Sequence, residues 1–124
     1  MKSTQDIIVF ARHPVVGDEF VAAAERHIAG ACQQRVDNHY SDPSGQFHAG
    51  VWSGGLGTWR VKYSEHEFCT LLEGLVRVSD SSGREVLLQA GDHFVIPAGF
   101  EGVWQVLEPA KKTYAIFEAA SAKP

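Results

Sequence analysis

The chain has 124 residues, 44% of them hydrophobic and 21% charged, with a formal net charge of -4 and a pI near 5.8. That size and balance suit one compact domain over 1–124, with a buried core and no room for a second. An acidic chain whose only basic cluster is Lys111 and Lys112 is a poor candidate for capturing nucleic acid or an anionic membrane.

The opening stretch MKSTQDIIVFARHP holds an apolar run at 7–10 that is too short for a signal segment or a membrane span, so a cytoplasmic location is expected. Cys32 and Cys69 sit in no CxxC and are too few for a disulfide framework, which fits reduced thiols in that compartment. The segment DEFVAAAERHIAGACQQ at 18–34 carries alanines and spaced apolar residues, and a short helix is expected over 18–26. Beyond it, Gly, Pro and Asp recur at short intervals, the rhythm of an all-β domain. The intervals between them predict strands at 34–39, 47–53, 58–63, 68–73, 75–79, 85–89, 93–97, 102–107 and 113–118. SDSSGRE at 79–85 reads as a hairpin turn, with Gly83 available for positive φ.

Two glycine-framed segments carry the sharpest pattern: GTWRVKYSEHEFCTLLEG at 57–74 and GDHFVIPAGFEGVW at 91–104. Six residues separate Glu67 from Gly74, and five separate Gly91 from Pro97, with Gly99 two further on. These spacings resemble the two sequence blocks of a cupin. Trp59, Tyr63, Glu67, Phe68, Cys69, Leu72, Glu73 and Gly74 are similar to the branch named after the (S)-ureidoglycine aminohydrolase cupin domain, the DUF861 or cupin_3 type. Glu108, Pro109, Lys112 and Tyr114 downstream, and Asp42, Ser44, Gly45, Gly50 and Trp52 upstream, extend the likeness over about 30–117.

The resemblance implies an all-β, RmlC-like cupin jelly-roll β-barrel. It also implies a homodimer, with 1–29 as an N-terminal extension whose 7–10 run is a candidate exchanged strand. Most cupins hold a metal with three histidines and one glutamate. Here Tyr63, Glu65 and Gly102 stand in the histidine positions, so no metal and no other cofactor is expected. His66 reads as a turn residue, His93 as an outer-face residue, and the remaining histidines have no ligand spacing.

Strand alternation puts Trp59, Val61 and Tyr63 on one face, and Glu67, Cys69 and Leu71 on another. If the glutamate position faces into the barrel, Phe94, Ile96, Gly102, Trp104 and Val106 face inward with it. Lys112, Tyr114 and Ile116 share a face of the last strand, whose direction periodicity alone leaves open. The expected site is therefore an aromatic cup of Trp59, Tyr63, Cys69, Trp104 and Tyr114 with Glu67 at its floor.

A carboxylate there is costly unless paired, and Tyr63, Lys112, water or a substrate amine could partner it. Glu67 is thus either a general acid/base or a structural glutamate. Cys69, with no inward histidine beside it, reads as packing rather than as a nucleophile. Two functions stay open: a module that binds a small polar metabolite without metal, and a small-molecule enzyme using Glu67 with an atypical metal or none.

Overall fold

The computed structural model describes residues 1–120, so the last four positions of the expected 1–124 domain lie outside the described residues. Its strands are β1 (Asp18–Val21), β2 (His27–Ala29), β3 (Gln33–Ser41), β4 (Phe47–Gly54), β5 (Gly57–Lys62), β6 (His66–Ser79), β7 (Glu85–Gln89), β8 (His93–Ile96) and β9 (Glu101–Phe117). All pairings are antiparallel, in the order β1-β3-β4-β9-β5-β2, with β6 joined to β7, β8 and β9. Every expected strand is present, but two pairs of them fuse. The stretches 68–73 and 75–79 form the single strand β6, while 102–107 and 113–118 fall within or run just beyond β9.

These two long strands run alongside each other through the whole molecule, from His66↔Phe117 to Ser79↔Val103. Their ladder slips around Glu73 and Leu75, opposite Glu108 and Lys111. Gly74 makes the slip possible. Its φ of +95° lies in the left-handed region, and a Cβ there would collide with Pro109 O, Ala110 Cα and Glu108 O. Pro109 has no N–H to give to a ladder, which suits it to the same irregular point. The bend lets one half of β9 pair with β4 and the other half with β5, curling the sheet into a half-barrel.

The expected helix over 18–26 is not formed: the segment is β1, a turn over 24–26, and the start of the approach to β2. The helix preference of three alanines amounts to tenths of a kcal/mol each. Pairing with the open edges of β3 and β5 outweighs it, as Asp18↔Val36 and His27↔Trp59 show. Because β1 and β2 are the two ends of the strand order, the short connection between them straps the open side of the curl. The 7–10 run is not a strand within the chain: residues 7–9 are irregular and Phe10 begins a 3-10 turn, its ring stacked on His39 at 4.3 Å.

The core gathers inside the curl, around Trp52, Trp59, Leu71, Val76, Trp104 and Val106. Ile96 is buried and Phe94 packs against this core, while His93 and Val95 are exposed, as alternation requires. The space a side chain at Gly102 would take is filled by Ser79 O and by the Phe100 ring, 2.7 Å from the ideal Cβ, so the glycine admits a close backbone crossing and gives no opening to the cavity.

Candidate functional site

A cavity of about 590 Å³ opens inside the curl, capped by Phe20, Val21, Ala22, Ala23 and Arg26 of the β1–β2 strap. Trp52 from β4, Trp59 from β5 and Trp104 from β9 supply its aromatic wall, with Tyr63 and Tyr114 beside them. Of the residues expected at the site, Trp59, Tyr63, Glu67, Trp104 and Tyr114 border this cavity. Cys69 does not border it; its side chain is fully buried, and it reaches the site only through Glu67.

The floor is an ion pair. Lys112 Nζ donates to Glu67 Oε2 at 2.9 Å, with the two residues only 4% and 6% exposed. Cys69 Sγ donates to the same oxygen at 3.1 Å. The ammonium also lies 4.5 Å from the centroid of Trp104 and 5.1 Å from that of Trp52, so two indole faces share its charge. Register explains this convergence: Lys112 stands directly opposite Trp52 on β4 and Leu71 on β6. On the inward face of β9, Lys112, Tyr114 and Ile116 all border the cavity, which fixes the direction that periodicity left open.

The surrounding groups hold the cup rigid. Trp52 Nε1 donates to Gln34 Oε1 at 3.0 Å, and Tyr114 Oη donates to Asn38 Oδ1 at 2.8 Å. Gly50 makes the second bond possible, because a Cβ there would strike Asp37 O and lie 2.5 Å from Tyr114 Oη. Tyr63 is pinned to the turn after β8 by two backbone bonds, its N–H to Phe100 O at 2.9 Å and Gly99 N–H to its carbonyl at 2.7 Å. Trp104 Nε1 is buried without a hydrogen-bond partner among the described residues. That orphan donor costs about 1–3 kcal/mol, which the packing of the indole must outweigh.

Burial sets the protonation of these groups. It pushes the Cys69 thiol up to about 12, with Lys112 opposing and Glu67 reinforcing the rise. Burial likewise raises the Tyr63 phenol, against the pull of Lys112, and moves Tyr114 up to about 12. For Lys112, burial alone would lower the ammonium. The negative charge that Tyr63 can carry and that of Glu67 outweigh it and hold Lys112 above its usual value. At neutral pH Lys112 is therefore an ammonium and Cys69 a neutral thiol.

Sequence reasoning offered Lys112 as one of several partners for Glu67 and did not include Trp52 in the cup. The missed signal was that Gly50, Trp52 and Gly54 share one face of β4, with bulk only at Trp52. The strap was missed because its sequence suits a helix.

A sequence profile of the EutQ-like cupin domain matches residues 41–114. The chain belongs to the EutQ-like cupin family. A DUF861-family protein from Thermotoga maritima is 33% identical over 52% of this chain and 73% of its own, with a TM-score of 0.51. The EutQ protein of Clostridium difficile is similar in fold at 18% identity and TM-score 0.62, covering 69% of this chain and 63% of that one. A DUF861-family protein from Pseudomonas syringae gives TM-score 0.70 at 23% identity, over 83% of this chain but 43% of its own length. This cupin thus spans less than two thirds of the Clostridium and Pseudomonas chains it resembles. No curated protein matches its sequence. No helix among the described residues is long and apolar enough to cross a membrane.

The metal site usual in cupins does not fit here. Glu67, which would contribute the carboxylate, has the Lys112 ammonium 2.9 Å from its Oε2. The three histidine positions hold a half-buried phenol, the Glu65 carboxylate held by Ser64 Oγ at 3.0 Å, and a glycine. His66 is turned to the backbone, its Nδ1 accepting from Ala98 N–H at 3.1 Å. Ammonium and metal cation compete for the same charge, and the lysine is built in.

Proposed function

We propose that this EutQ-like cupin binds a small polar molecule in the cup between its three tryptophans, without the metal usual in its superfamily. The observation that carries the reading is the buried Lys112–Glu67 pair on the wall of an aromatic cavity of about 590 Å³. Pockets that take small ligands combine apolar walls with polar groups that fix orientation, and this one sets three tryptophans beside Lys112 and Glu67, with Arg26, Arg60, Lys62 and Glu65 also on its lining. A buried ion pair is weak support for stability, because hydrophobic replacements of similar volume often do as well. A role in recognition gives such a pair a reason to be kept.

A second reading, catalysis with Glu67 as acid or base, is favoured by one detail. Both of the bonds that Glu67 accepts go to Oε2, which leaves Oε1 of this cavity-lining residue without a donor among the described residues. In that role Glu67 would exchange a proton with the bound molecule, with the Lys112 ammonium 2.9 Å from its Oε2. The experiment that separates the two readings is a metabolite panel incubated with the protein and with Glu67→Gln. Retained ligand without product supports binding, product that depends on Glu67 supports catalysis, and neither in any member of the panel contradicts both.

A further inference from the structure

The hydrogen-bonding groups left over on the cavity floor define what it can hold. Glu67 Oε2 takes Lys112 Nζ and Cys69 Sγ, and no described residue donates to Oε1. An ammonium has three N–H donors; Lys112 gives one to Glu67 Oε2 and also bonds Cys69, which leaves one for a ligand. The floor therefore offers a donor and an acceptor side by side, on a pair whose charges cancel.

That pairing discriminates between ligand headgroups. A carboxylate docked on Nζ would bring its charge against Oε1, and an ammonium docked on Oε1 would bring its charge against Nζ. Either leaves a like-charge contact at a buried pair, where it is most costly. A headgroup with a carbonyl oxygen for Nζ and an N–H for Oε1 satisfies both atoms and buries no net charge. The flanking rings of Trp52, Trp59 and Tyr63 favour an aromatic or otherwise apolar body attached to it.

We propose that the ligand of this cavity is an uncharged amide with an aromatic or otherwise apolar body, its carbonyl on Lys112 Nζ and its N–H on Glu67 Oε1. The proposal rests on the small-molecule reading above and narrows it to a chemical class.

Benzamide, benzoate and benzylamine test it directly, because they share a ring and differ in the charge of the headgroup. All three tryptophans of the chain border the cavity, so their emission reports occupancy, and calorimetry checks each titration. The expected result is saturable binding of benzamide at least about tenfold tighter than either charged analogue. Benzamide binding should weaken about tenfold in Glu67→Gln, which keeps the shape of the side chain and removes its charge, once circular dichroism shows the variant folded. If benzoate or benzylamine binds as well or better, the amide assignment is overturned while the cavity remains a ligand site. Unchanged benzamide binding by a folded Glu67→Gln overturns it too. Absence of saturable binding by all three overturns both the class and the small-molecule reading. Should the variant fail to fold, the ranking of the three compounds on the unmodified protein decides.

Discussion

Lys112 is the residue on which the site turns. It is held by one carboxylate and two indole faces, so its loss would leave Glu67 charged and unpaired in the core. Lys112→Met should therefore destabilise the fold by about 3–5 kcal/mol, measured by urea unfolding. The double change Glu67→Leu/Lys112→Met removes both charges and should recover most of that loss. A double variant as unstable as the single one would mean that the pair is not coupled. Protonation gives a second handle on the same residues. Cys69, Tyr63 and Lys112 all hold their protons more tightly in the fold than in an unfolded chain. Stability from these groups is present in full below their ordinary values and is lost as pH rises through the folded ones. For Cys69 that window runs from 9.0 to about 12. The thermal midpoint should be flat near neutrality and fall from about pH 9 upward, and a rise over that range would contradict the assignment.

Among the elements, β6 and β9 decide the shape, and their shared bend is the point most exposed to mutation. Gly74→Ala places a side chain in the left-handed region and against Pro109 O and Ala110 Cα, so at least about 1–3 kcal/mol of destabilisation is expected in thermal or urea unfolding. The same alteration at Gly83, whose φ is also positive but whose surroundings are open, should cost less. The strands were legible because Gly, Pro and Asp mark their ends and side chains alternate between them. The continuity of β6 through Gly74 was not, because a glycine at positive φ reads as a turn whether the chain reverses there or merely slips register. β1 was hidden for a related reason: its pairing with β3 is a long-range fact, and local alanine content points the other way. At the site, Glu67 and the wall of Trp59 and Trp104 could be read from spacing and parity. The choice of Lys112 as partner could not, since it depends on which strand lies opposite Trp52 and Leu71.

At the scale of the whole molecule, the cavity faces inward and the opposite face of the β6–β8–β9 sheet stays bare. Phe68, Val95 and Phe117 are 50%, 61% and 46% exposed there, and Phe68 pairs in register with Val95. A homodimer, the assembly implied by the family resemblance, would cover such a surface. One native mass spectrum of freshly purified protein, prepared without chelator or metal-affinity resin, reads assembly, metal and retained ligand together. The central claim is that a lysine replaces the metal in a ligand-binding cupin cup. It predicts a mass that exceeds that of the assembled chains only by a small organic adduct, lost on mild activation. A stoichiometric transition metal that stays with the folded protein would contradict it.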